Sequence, residues 1–245
     1  MERFWTFFSF PLNLLLALLW LVGWGLLWRH RSDCRPVKFL LSPIATMSAL
    51  SLLIVAGLWV GFSGNCAWVQ SVPFVFLLLY IQTVVYLVTL RGWKRKSGQI
   101  RWRFLLIHAG FLLAVGSAFW GAPDSTELRI KMERGQVVNV AYRLDGRVTS
   151  LGYQLFVDDY SVDFTEDGKV VKYEAIVSVN GGDAELLTVN HPLSVRLGED
   201  VYLASVSDSG CVFQIVREPW RYFALAGILM LLVGAFMLFI KGPQR

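Results

Sequence analysis

Histidine is the residue type in this chain best suited to binding a metal or moving a proton, and the chain has three. His108 follows Leu105-Leu106-Ile107 inside an apolar stretch, where an ionisable side chain is costly and is therefore a functional candidate. His30 lies among basic residues and His191 directly before Pro192, positions typical of exposed histidines. From the residues alone, His108 is either a ligand or a neutral imidazole that bonds a neighbouring helix or reaches the headgroups.

Small residues follow His108 and would let either a helix or a flat macrocycle approach its stretch closely. They are Ala109, Gly110, Ala114, Gly116 and Ser117. Elsewhere, Trp20, Trp24 and Trp28 share one face of the first apolar stretch. Helix packing and interfacial anchoring explain that stripe better than cofactor stacking does.

Motifs of enzyme chemistry are absent from the sequence. The three cysteines form neither C-x-x-C-H nor C-x-x-C, which excludes a c-type cytochrome and a thioredoxin-like reductant. A P-loop, G-x-S-x-G and H-E-x-x-H are missing as well. Asp158, Asp159 and Asp163 could be a metal or acid/base cluster, but no oxygen-ligand loop surrounds them, so a solvated strand and turn is favoured. We predict no catalytic residues.

Five apolar stretches are long enough to cross a membrane, which takes about 20 helical residues. They are residues 8–28, 39–61, 73–90, 104–121 and 222–240. The hydrophobic fraction of 55% and mean hydropathy of +0.52 suit a chain that is about half membrane. The first stretch is longer than a typical signal core and ends in Trp28-Arg29, so we interpret it as a span and not as a signal peptide.

Charge is segregated along the chain. Residues 91–103, between the third and fourth stretches, hold six Lys and Arg and no acid, and the loop after the first stretch and the C-terminal tail are also basic. By the positive-inside rule these segments are cytoplasmic, and the N-terminus and residues 122–219 lie outside. Residues 122–221 hold 16 Asp and Glu against 10 Lys and Arg. The pI of 9.2 therefore reports topology, and we expect no nucleic-acid partner.

The polar segment predicts an all-β domain. Strand-like runs at residues 153–157, 170–179 and 201–206 are separated by turn pairs at Asp145-Gly146, Asp167-Gly168 and Gly181-Gly182. The fold class is therefore a multi-pass α-helical membrane protein with an inserted all-β extracytoplasmic domain, a sandwich or open barrel. Its domains are residues 1–121 with four spans, 122–219 as the β domain and 220–245 as the last span and tail. Cys66 and Cys211 both fall outside, where a disulfide could join them.

Several motifs resemble one family. They are residues 151–160, Val189-Asn190-His191-Pro192-Leu193, the stretch from Gly198 to Tyr202, and Val216 to Trp220 leading into a span with Gly227 and Gly234. This pattern resembles the extracytoplasmic domain of the ResB (CcsB) family, which serves the System II pathway of cytochrome c maturation. His108-Ala109-Gly110 followed by Gly116 is similar to the family's histidine-bearing helix, so the resemblance covers roughly residues 103–239.

The resemblance implies a role in haem handling. With a ResC (CcsA) partner, the family forms a complex in the bacterial inner membrane that exports haem and presents it to apocytochrome c. Carried over to this chain, it implies that His108 is an axial ligand of haem b iron, the second ligand coming from the partner. It implies a non-catalytic subunit of the synthetase, since the partner's tryptophan-rich segment has no counterpart here.

One other function stays open. Common family members have three spans before the outer domain, whereas four are predicted here, and the outer domain is short. An interaction protein whose β domain docks a partner, with His108 only packing, is therefore the alternative. A b-type electron carrier fits poorly, because such carriers usually need paired histidines on facing helices.

Overall fold

The computed structural model describes residues 9–63, 71–164, 170–207 and 209–241. The chain divides into two compact units: a membrane unit, Met1–Pro123 with Trp220–Arg245, and a β unit, Asp124–Pro219. The helices of the membrane unit are α1 (Leu12–His30), α2 (Arg35–Leu40), α3 (Pro43–Ser63), α4 (Val72–Gly92), α5 (Trp102–Gly121) and α6 (Arg221–Lys241).

Five of these helices, all except α2, are long and apolar enough to cross a membrane. The protein is therefore a multi-pass helical membrane protein, as the five apolar stretches predict. The second span begins later than predicted, at Pro43 and not at residue 39, because α2 ends at Leu40. Proline suits the first position of a helix, and the Ser42 hydroxyl accepts the Ala45 N–H at 3.2 Å, so α3 starts afresh there.

Helix α4 is the most buried of the five spans and packs against α1, α3 and α5. Polar side chains join it to each neighbour. Trp20 donates to Thr83 at 2.9 Å, the Ser48 and Tyr80 hydroxyls lie 2.7 Å apart, and Trp120 donates to Gln82 at 3.1 Å. Trp24 and Trp28 pack in the same apolar cluster as α4, so the tryptophan stripe serves helix packing. In an apolar surrounding these bonds fix the rotation of each helix.

Helices α5 and α6 touch through their backbones. A Cβ at Gly110 would lie 2.9 Å from the Gly227 carbonyl oxygen, and a Cβ at Gly227 would lie 2.6 Å from the Ala114 nitrogen. One turn further along α5 towards its start, a Cβ at Gly234 would meet Ile107 at 2.7 Å. Small residues permit the two helices to approach this closely, and a larger side chain at these positions would not fit between them.

The β unit is one antiparallel sheet of eight strands. They are β1 (Thr126–Met132), β2 (Val137–Arg143), β3 (Val148–Phe164), β4 (Val170–Val179), β5 (Glu185–Thr188), β6 (Leu193–Arg196), β7 (Glu199–Ser207) and β8 (Gly210–Arg217), in the order β5-β4-β3-β2-β1-β8-β7-β6. The three predicted runs lie in β3, β4 and β7. Turns occur at Gly146 and Gly181, whereas the predicted turn at residues 167–168 lies outside the described residues.

The sheet folds over a single apolar core. Alternate residues of β1 and β3 are buried, and β7 reaches across the interior to contact β3, β4 and β5. The largest fully buried side chain is Phe213 on β8. The two edge strands, β5 and β6, do not pair with each other in the described sheet, so the β unit is an open barrel.

Candidate functional site

His108 lies in the second turn of α5 and is half-buried. Its Nδ1 is 2.9 Å from the carbonyl oxygen of Phe104, one turn earlier on the same helix. A carbonyl oxygen can only accept, so Nδ1 carries the proton in the neutral ring and Nε2 keeps its lone pair. A histidine that binds a metal commonly donates its other ring N–H to a backbone carbonyl in this way. The ring is therefore held in the tautomer that a metal ligand requires.

An aromatic ring covers one face of the imidazole. Phe104 stacks on His108 with ring centroids 3.9 Å apart and planes 24° apart. The Arg101 guanidinium lies 4.8 Å from the centre of the Phe104 ring and donates to the Gly92 carbonyl at 3.2 Å. A Cβ at Gly92 would collide with the Phe104 ring, so the absence of a side chain at Gly92 makes room for this ring. These contacts restrict the rotamer of His108.

His108 lines a cavity of about 250 Å³. Four spans form its walls, and nearly every lining side chain is apolar: Thr46, Ala49, Leu50 and Leu53 of α3, Ile81, Val84, Val85 and Val88 of α4, Ile107 and Phe111 of α5, and Leu231 of α6. The small residue Gly110, by contrast, packs against α6. The sequence allowed either a helix or a flat macrocycle to approach these small residues. At Gly110 the neighbour is helix α6.

The residues at this cavity fit an axial position of haem only in part. The donor atom and apolar lining suit haem iron, for which histidine is a common ligand. The volume is below the roughly 300–1,000 Å³ of ordinary small-molecule sites. This chain can therefore supply one ligand and one wall, and the rest of a macrocycle would need a surface beyond the cavity.

The other two histidines do not join His108 in the membrane unit's cavity. His30 ends α1 and is exposed, and His191 is exposed in the β unit, where its backbone N–H bonds the Thr188 carbonyl. Among the described residues of the five spans, the one other histidine is His30 at the exposed end of α1, and it does not line this cavity. A second axial histidine would have to come from elsewhere.

The acidic side chains of β3 are exposed to solvent. Asp158, Asp159 and Asp163 are exposed, and Asp159 makes an ion pair with Arg134 at 2.6 Å. Within the part of the chain that the structure describes, no group of three or more His, Cys, Asp or Glu could hold a metal ion. The solvated interpretation of these residues agrees with this placement.

A buried charge network in the β unit was not identified from the sequence. The side chain of Glu199 is 3% exposed; its Oε2 accepts from Arg217 at 2.8 Å and Arg196 at 2.7 Å, and its Oε1 from Tyr153 at 2.9 Å. Burial raises the pKa of the Tyr153 hydroxyl, and the Glu199 carboxylate raises it further. The only sequence signal is the i,i+3 spacing of Arg196 and Glu199 around Gly198.

The motif residues of the resemblance hold the backbone in place. Asn190 has φ of 64° and Gly198 has φ of 75°. A Cβ at Gly198 would lie 2.7 Å from the Glu218 carbonyl oxygen, while the Gly198 carbonyl accepts the Glu218 N–H at 2.6 Å. These residues shape the β unit and carry no reactive group.

Cys211 is fully buried and its thiol lies 3.4 Å from the Met132 carbonyl oxygen. Burial raises the pKa of this thiol to about 11, so it is a poor nucleophile near neutral pH. Its predicted partner, Cys66, lies outside the described residues.

Comparison with known proteins gives a family match and structural likenesses. Residues 95–212, close to half of the chain, match the family model described as the ResB-like family. Comparison with curated proteins gives no match. Among solved structures, one titled "Cytochrome c Heme Lyase CcmF" is similar at TM-score 0.44 and 13% identity over 96% of this chain. This chain spans 46% of that protein's length.

Proposed function

Because the chain is ResB-like over residues 95–212, we propose that it is a subunit of a membrane complex that delivers haem to apocytochrome c. The family match supports a role in cytochrome c biogenesis. The finer parts of the proposal are haem b as cofactor, a ResC (CcsA)-like membrane protein as partner, and a non-catalytic contribution to the synthetase. The complex would lie in the bacterial inner membrane with the β unit and its apocytochrome on the outer side.

The observation that carries the proposal is His108 on an apolar cavity with Nδ1 bonded to Phe104. In neutral imidazole that bond leaves the Nε2 lone pair for coordination, and Phe104 restricts ring rotation. The lining offers water few hydrogen-bond partners, because nearly all of it is apolar. Bound there, haem would supply an iron whose ferrous state an apolar, water-poor surrounding protects. The limited volume supports a site that is completed by the partner.

The test is the absorption spectrum of the full chain co-purified with its ResC-like partner, oxidised and reduced. Wild type should show b-type haem bands, which His108→Ala should lose. His191→Ala is the matched control, since His191 is exposed on the other unit, and it should keep the bands. Free imidazole added to His108→Ala should restore part of the spectrum, because it can enter the space that the side chain leaves.

Two outcomes would contradict this proposal. An unchanged spectrum in His108→Ala would exclude His108 as the ligand. A folded complex without haem in wild type would favour the alternative function, in which the β unit docks a protein partner and His108 only packs. Circular dichroism and yield of the membrane fraction establish that each variant is folded.

A further inference from the structure

The connection between α4 and α5 is a folded turn held by its own backbone. Lys94 and Ile100 form an antiparallel bridge, Arg95 donates its N–H to the Gln99 carbonyl at 2.9 Å, and Arg101 donates to the Trp93 carbonyl at 2.7 Å. The backbone of this turn therefore follows a defined path between the ends of two apolar spans.

The turn lies in a unit with a large excess of positive charge. The membrane unit holds 14 Lys and Arg but only two acids, Glu2 and Asp33. Asp33 makes an ion pair with Lys38, and residues 91–103 contain no acid. The turn is therefore strongly basic, and basic segments at the ends of membrane spans attract anionic lipid headgroups.

A cavity of about 180 Å³ lies against the turn. Arg95, Arg101 and Arg103 line it together with Gln99, while Ile100, Trp102 and Met237 add an apolar wall. Ile100 and Trp102 are 38% and 57% exposed, as expected for side chains at a membrane interface. Arg101 uses one N–H on the Gly92 carbonyl, and a guanidinium has five donors. Anion-binding donors thus lie next to apolar surface.

We propose that this cavity binds the phosphate headgroup of an anionic phospholipid, whose acyl chains extend along the apolar wall. Guanidinium groups pair with phosphate oxygens through two parallel hydrogen bonds, and basic pockets between spans recognise such headgroups. The apolar wall favours a lipid over free inorganic phosphate, which has no chains to bury. This site is independent of His108 and of the proposed function.

The first experiment measures lipid that stays on the full chain after detergent purification from vesicles of phosphatidylglycerol and phosphatidylcholine. Wild type should retain phosphatidylglycerol selectively. Arg95→Gln with Arg103→Gln should weaken binding about 25-fold, at about 1 kcal/mol for each basic residue. The matched control is Arg29→Gln with Arg31→Gln, two exposed arginines at the end of α1, which should bind as wild type does.

If the arginine variant is unstable, quenching of tryptophan fluorescence at the cavity provides a second test. Brominated phosphatidylglycerol should quench part of the tryptophan fluorescence of the wild type. That part should be missing in Trp102→Phe, because Trp102 lines the cavity. Inorganic phosphate should not displace the brominated lipid. Equal retention of both lipids, equal binding by the arginine variant, or full displacement by inorganic phosphate would overturn the lipid site. Unchanged retention in His108→Ala is expected, and its loss would assign the arginines to the haem site instead.

Discussion

At the scale of single residues, His108 shows which part of a site a sequence can reveal. Its position is evident because an ionisable side chain interrupts a run of apolar residues. Its tautomer is not, because that depends on a hydrogen bond to the Phe104 carbonyl within a formed helix. The Phe104 stack depends equally on Gly92, which belongs to the preceding span, so the contact forms only when the two helices pack.

Glu199 is the residue whose removal should destabilise the β unit most directly. Glu199→Ala would leave the Arg196 and Arg217 guanidiniums without their shared carboxylate and Tyr153 without its acceptor. Breaking a buried pair from one side costs about 3–5 kcal/mol. Arg196 is half exposed, so we expect the lower end of that range. Hydrogen–deuterium exchange of the β7 and β8 amides in the full chain should accelerate accordingly.

The control is Asp159→Ala, which breaks the exposed pair with Arg134. Surface pairs contribute about 0–1 kcal/mol, so exchange in this variant should stay near wild type. Equal exchange rates in Glu199→Ala and Asp159→Ala would show that the buried network does not stabilise the unit.

At the scale of elements, the contact of α5 with α6 is set by glycine. Gly227→Val should destabilise the membrane unit, because the new Cβ would meet the Ala114 backbone at 2.6 Å and backbone cannot turn away. Overpacking of this kind costs about 1–3 kcal/mol or more. The check is the midpoint of thermal unfolding in detergent, read from tryptophan fluorescence.

Gly57→Val on α3 is the matched variant, since a Cβ there meets nothing within 4 Å. It should unfold near the wild-type temperature. If both variants unfolded at the same lowered temperature, the loss of stability would come from valine in a helix and not from the contact between α5 and α6.

The elements themselves were largely predictable. Continuous apolar runs indicate all five spans, and strand-like runs separated by turn pairs indicate β3, β4 and β7. The shift of the second span to Pro43 was not predicted, because residues 39–42 are as apolar as the helix that follows them. The face on which small residues pack was not predictable either, because glycine permits a helix and a ligand alike.

At the scale of the whole molecule, charge is divided between the two units and should determine their sides of the membrane. With the basic loops inside, Asp145→Cys in the turn between β2 and β3 should react with an impermeant maleimide in spheroplasts. Lys96→Cys, between α4 and α5, should react only after permeabilisation. Cys34→Ser with Cys66→Ser supplies the background, and the buried Cys211 should stay unlabelled.

The reverse labelling pattern would place the β unit in the cytoplasm and exclude the proposed delivery to an outer apocytochrome. Labelling of both positions before permeabilisation would instead indicate leaky spheroplasts, which a cytoplasmic marker enzyme reveals. Sequence alone predicts this orientation, because Lys and Arg counts need no folded structure. It does not give the Glu199 network, whose partners come from β3, β6 and β8.

The pairing of β1 with β8 has a consequence for how such proteins can be altered. Thr126 lies opposite Arg217, so the chain enters and leaves the β unit through neighbouring strands. The two chain segments that connect the β unit to the rest of the protein therefore start side by side. A short linker could replace the β unit without drawing α5 and α6 apart, so this unit could be exchanged or resized while the membrane spans keep their packing.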